Sequence, residues 1–132
     1  MTRRALRTKI FEILFKLEFN KRDEMQEQMK YSLDRISELS SEDEEYIIRK
    51  TKRIIELLED IDAMIDKASD GWSVKRLGKA ELAILRLAVY EMKYDDEIPY
   101  KVAINEAVEL AKIYCDEDAK AFINGILSNV NQ

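Results

Sequence analysis

Arg3, Arg4 and Arg7 place three guanidinium groups within the first seven residues, and their type and spacing suit one chemical task, holding a polyanion. Each offers a planar fork of donors that fits phosphate and a flat face that stacks on a base. Residues 1 to 22 hold seven basic and two acidic side chains, a net of +5, while the remaining 15 basic and 25 acidic residues give −10. A basic start on an acidic body points to a local anion site and not to a uniformly basic coat. On charge alone, a solvated helix start is the simpler account.

Catalysis finds little material. With no histidine and a single cysteine, Cys115, there is no zinc cluster, no Cys/His or Ser/His/Asp set and no histidine base. Gly71, Gly78 and Gly125 are too scattered to cradle a phosphate. Glu106 with Glu109, and Asp116 with Asp118, pair carboxylates, but in so acidic a chain they read as helix-surface and capping charges. The expectation is a binding protein without cofactor or metal. A lone cysteine cannot form an internal disulfide, and no signal-type apolar region or run of 18 apolar residues appears, so a cytoplasmic protein away from membranes is expected.

The elements that must carry these groups are helices. Three glycines and one proline against 37% charged residues describe a helix-rich chain of single-domain length. Its centre is Lys79 to Tyr94: Leu82, Leu85, Val89 and Met92 make one stripe, and Ile84, Leu87, Ala88 and Tyr90 fill most of the remaining circumference. A helix apolar nearly all round belongs in the interior, and Arg86 and Glu91 need partners there. For Arg86 the candidates are Glu106 and Glu91.

Around that helix the periodicity predicts others. Residues 3 to 20 carry a core stripe of Leu6, Ile10, Ile13, Leu14 and Leu17, with Phe11, Phe15 and Phe19 on the opposite side, Phe15 being the expected exposed member. Glu24 to Leu39 carries Met25, Met29, Leu33 and Ile36. Ser41 to Glu44 fits an S-x-x-E capping box, followed by one long seam through Ile47, Thr51, Ile54, Leu58, Ile61 and Ile65. Ser69-Asp70-Gly71 breaks the pattern, Trp72 follows, Ser73 can cap a single turn over 74 to 77, and Gly78 would end that turn in a left-handed conformation. Pro99 opens a helix over 101 to 115 whose packing stripe is Ala103, Ala107, Leu110, Ala111 and Tyr114. The last helix turns Ala119, Phe122, Ile123, Ile126, Leu127 and Val130 inward. Gly125 costs it about 1 kcal/mol relative to alanine, which suggests a close helix contact at that point. The expected class is all-α, one domain over 1–132, with sub-bundles of about 1–70 and 71–132 stacked around the shared 79–94 helix.

Five segments then carry a resemblance: Arg3-Arg4-Ala5-Leu6-Arg7; Leu14-Phe15; Ile84 to Glu91, ILRLAVYE; Ile98-Pro99 with VAINEAVELA from Val102 to Ala111; and Phe122-Ile123-Asn124-Gly125-Ile126-Leu127. In this order the chain resembles the NusB family of bacterial transcription antitermination factors. The resemblance implies two three-helix subdomains and a non-enzymatic role. It further implies binding of boxA-type single-stranded RNA together with NusE, a small-subunit ribosomal protein, within the RNA polymerase antitermination complex of ribosomal RNA operons.

On the family pattern, Arg3, Arg4, Arg7, Asp118 and Phe122 match RNA-binding positions, and Phe15 and Glu81 match partner-binding positions. Asp118 would repel phosphate, so any RNA contact it makes is to base edges; as a helix N-terminal charge it needs no RNA. Phe122 also lies on the inward stripe. The chain departs from the pattern at Leu6, where alanine is usual; at Phe15, for a common tyrosine; at Lys120-Ala121, where a basic residue often directly precedes the phenylalanine; and at Ser128, for a frequent aspartate. The rival reading is a protein-only helical adaptor using the phenylalanine face. That face could also pair with a second copy of the chain as a homodimer.

Overall fold

The computed structural model describes residues 1–19, 24–34, 39–70 and 73–130. Among them are seven α-helices, one 3-10 turn and no strand: α1 Arg3–Leu17, α2 Met25–Asp34, α3 Ser41–Glu56, α4 Leu58–Ala68, the turn Val74–Arg76, α5 Lys79–Tyr94, α6 Tyr100–Tyr114 and α7 Ala119–Val130. The chain forms two compact units, Met1–Ile55 and Glu56–Gln132. The expectations for Lys21, Arg22, Ile36, Gly71 and Trp72 fall outside the described residues.

In the first unit α1 buries Leu6, Ile10, Ile13 and Leu14 of the expected stripe, leaves its last member, Leu17, half-buried, and packs on α2. Phe11 joins them, 1% exposed. Ser40, one residue before the predicted cap, is the side chain that closes the start of α3: its Oγ accepts from the Asp43 N–H at 3.1 Å. Two adjacent serines offer the same chemistry, and the register of the seam picks the first. Glu42, Asp43 and Glu44 then fill the first turn, at the positive end of the helix dipole.

The long seam is interrupted once. Leu57 leaves helical geometry at φ −97°, ψ 9°, and the ladder restarts at once, the Ile61 N–H donating to the Leu57 carbonyl at 2.9 Å. Ile47, Thr51 and Ile54 before the interruption and Leu58, Ile61 and Ile65 after it are all buried, so the 3.5-residue period runs through. No glycine or proline marks the break. Glu59 and Asp60 suit the first turn of a new helix, and that is its only local signal.

The second unit is built round α5, which buries Leu82, Ala83, Ile84, Leu85, Leu87, Ala88, Val89 and Glu91 and is packed by α4, α6 and α7. The bounds Lys79 and Tyr94 are those the apolar pattern predicts. Ala103, Ala107 and Ala111 keep α6 thin on its packing side, while Tyr114, expected in that stripe, is exposed at the helix end. Arg86 meets Asp62 of α4, a partner not among those considered: its Nε and one terminal nitrogen donate to the two carboxylate oxygens, each at 2.9 Å. This fork ties α4 to α5.

Two glycines depart from their expected roles. Gly78 has φ −62° and ψ 148°; it is the residue preceding α5, not a left-handed end to the turn before it. The left-handed residue is Asp70, at φ 50° just after α4. Gly125 makes no close helix contact, since a Cβ added there would meet nothing within 4 Å.

Two stability results follow. The Thr51 hydroxyl, fully buried, has no hydrogen-bond partner among the described residues. Thr51→Val keeps the shape and removes the desolvated group, so it should raise the unfolding free energy by about 1 kcal/mol in urea titration. Asp62→Ala should lower it by about 1.5–3 kcal/mol, the worth of hydrogen bonds to a charged group, and Arg86→Lys should lose most of the same, because lysine has no fork.

Candidate functional site

In the first unit the candidate residues share one helix. Thr2 caps α1, its Oγ1 accepting from the Ala5 N–H at 3.0 Å, so Arg3 and Arg4 fall in the first turn, and no acid shares that turn. Both arginines are exposed. Cations at the positive end of a helix dipole are worth less to folding than acids would be, and the dipole adds to their field instead of opposing it. Anions gain from both. The Met1 amino group reaches Asp43 at 2.9 Å, which sets the start of α1 beside the start of α3 and holds the Asp43 carboxyl below its usual value.

Arg7 is placed differently. It falls in line with Phe11 and Leu14 at i, i+4 and i+7, and all three are buried, Arg7 with 7% exposure. Its long apolar stem explains how a guanidinium can lie along that line.

The phenylalanines descend from core to surface along the same helix. Phe11 is buried, Phe15 is half-buried, and Phe19, at 61% exposure, is the outermost. Phe15 is stacked against Phe11, 6.0 Å between centroids at 17°, and meets Phe19 edge to face at 5.2 Å and 82°. The exposed member is therefore Phe19 and not Phe15; it lies just past the end of α1. Phe15 stands twelve residues from Arg3, about 18 Å along the axis at the usual rise.

In the second unit Asp118 is exposed at the head of α7, and its carbonyl accepts from the Phe122 N–H at 3.4 Å. Phe122 is half-buried, the least covered of the six residues expected to face inward from α7. Lys120 is bound to Glu117 at 2.9 Å, which holds the Glu117 carboxyl below its usual value. Glu81 serves the start of α5: its Oε2 accepts from the Gly78 N–H at 3.1 Å. The same carboxylate is near Cys115. Burial first, then Glu81 and Asp116, push the Cys115 thiol up to about 11. Among the described residues no group of three or more His, Cys, Asp or Glu is placed to hold a metal, and no helix is long and apolar enough to cross a membrane.

Comparison with known proteins gives these positions a context. Residues 4–132 match the family model described as the NusB family. The chain is 47% identical over 128 residues to the transcription antitermination protein NusB of Agathobacter rectalis, covering 97% of this chain and 98% of that one. Among solved structures it is similar to T. maritima NusB, with 35% identity and a TM-score of 0.88, covering 99% of this chain and 91% of that one. It is also similar to a chain from the crystal structure of antitermination factors NusB and NusE in complex with double-stranded RNA, with 28% identity and a TM-score of 0.85, covering 98% and 95%.

The raised thiol gives a direct check on the position of Glu81. Only the thiolate reacts with iodoacetamide, and a thiol at about 11 is almost wholly protonated at pH 8.5. Alkylation of Cys115 should therefore be many-fold slower than that of an unperturbed cysteine. Glu81→Gln, which removes one nearby charge, should speed it, and the rate should rise with pH beyond 9.

Proposed function

Because this chain belongs to the NusB family, we propose that it acts in transcription antitermination by binding boxA-type single-stranded RNA together with NusE, as part of the elongating RNA polymerase complex on ribosomal RNA operons. The observation that carries the RNA part is the start of α1, where two exposed arginines add their charge to the positive end of a helix whose first turn holds no acid. Arg3 and Arg4 are assigned phosphate contacts. Arg7, buried beside Phe11, is assigned to the same RNA contact and to holding α1 in place.

Asp118 and Phe122 are assigned contacts with bases. An exposed carboxylate accepts hydrogen bonds from base amino groups while repelling phosphate, and a half-exposed ring offers a stacking face to any unpaired base. Phe15 and Glu81 are assigned to the NusE surface. A solved structure of NusB and NusE in complex with double-stranded RNA, one chain of which this chain resembles, supports an RNA and NusE as the pair of partners.

A salt titration separates this reading from a protein-only adaptor. If Arg3 and Arg4 each neutralise one phosphate, replacing both by alanine should flatten the log-log dependence of RNA affinity on salt by about 1.4, at about 0.7 per phosphate. Arg7→Ala should weaken binding and lower the melting temperature together. An unaltered slope in the Arg3, Arg4 double variant would count against the phosphate contacts.

A further inference from the structure

The C-terminal ends of α4, α5 and α7 meet around a cavity of about 640 Å3 in the second unit. Ala68 of α4 and Val130 of α7, both buried, and the half-buried Met64 make its apolar floor. Lys67, Asp70, Lys93 and Asn129 stand exposed around it. A volume of this order is usual for a small-molecule site. Its walls are helix ends and not the length of one helix face, so a partner helix has nothing to lie along.

Neither lysine is paired. Among the described residues the Lys67 and Lys93 ammonium groups make no ion pair and no hydrogen bond, whereas Lys112 and Lys120 in the same unit are bound to Glu109 and Glu117 at 2.9 Å. Each stands in the last turn of its helix, where the negative end of the dipole favours a cation. That end amounts to about half a charge, so a full ammonium leaves a surplus. Surplus positive charge beside an open apolar floor suits an anion that carries an apolar body.

Asn129 and Asp70 narrow the class. Asn129 Nδ2 donates to the Ala68 carbonyl at 3.0 Å, which fixes the amide at the cavity wall with its Oδ1 left to accept. The Asp70 carboxylate repels a run of phosphates but accepts from hydroxyl groups. The thioether of Met64 packs favourably on an aromatic ring. One phosphate, hydroxyl groups and a flat ring with donors at its edge together describe a mononucleotide.

We propose that this cavity binds a free mononucleotide, with its phosphate held by Lys67 and Lys93, its sugar hydroxyls by Asp70, and its base over Met64 with an edge amino group on Asn129. The site is independent of the surface assigned to RNA, because the head of α7 lies at the other end of that helix from Asn129.

The test is calorimetric titration of the full chain with the ribonucleoside monophosphates of adenine, guanine, cytosine and uracil, each beside inorganic phosphate and the matching nucleoside. At least one monophosphate should bind about tenfold or more tightly than either fragment. Lys67→Ala and Lys93→Ala should each weaken that binding by about tenfold, the loss of one charge-assisted contact, while Lys112→Ala should leave it unchanged; a melting curve of each variant checks that it is folded. The affinity of the lysine variants for a boxA-type strand should equal that of the parent. Absence of saturable mononucleotide binding overturns the proposal, as does inorganic phosphate binding as tightly as the nucleotide, or lysine variants that bind it as the parent does. A fall in RNA affinity in the lysine variants, with no mononucleotide bound, assigns the two lysines to RNA and overturns it as well.

Discussion

A helix that is apolar round most of its circumference cannot face water, and α5 sets that condition on the whole second unit. Eight of its residues are buried, and three other helices, α4, α6 and α7, pack on it. One of the polar groups it must carry, Arg86, is met by the Asp62 fork, with both groups largely removed from solvent. Breaking one side of such a pair leaves a charge without its partner in a site where water restores only part of the lost interaction. The alanines of α6 follow from the same condition, since small side chains let a covering helix come close. What α7 presents outward, Asp118 and the half-exposed Phe122, is held in place because its other face is fixed on this core.

Much of this was legible from residue spacing. The limits of α5 came out to the residue because nothing but burial explains an apolar surface on all sides. The stripes of α1, α3 and α4 were equally plain, as periodicity reports burial directly. What spacing did not reveal was set by single contacts. The seam breaks at Leu57 without glycine or proline, so its continuous apolar period read as one helix. Arg86 forks onto Asp62, on a helix 24 residues earlier, a partner that spacing along the chain does not single out. Ser40 and Ser41 are interchangeable on paper, and backbone register decides between them.

The candidate site was legible in part, for a similar reason. Residue type and order pointed to Arg3, Arg4 and Arg7, but the burial of Arg7 depends on its alignment with Phe11 and Leu14. The three phenylalanines share one spacing, yet their exposure rises from Phe11 to Phe19 because α1 ends between the last two. The sequence suggests that Gly125 makes room for another helix of the same fold. The open space beside it belongs to the surface instead.

Recognition of a particular RNA sequence is the central claim for the exposed groups of α1 and α7. Binding of a labelled boxA-type single strand, and of a scrambled strand of the same length and composition, should be measured at one fixed salt concentration with and without NusE. The account predicts tighter binding of the boxA-type strand, with NusE widening the difference. Equal affinity for the two strands, with NusE bound and the protein folded, would contradict it.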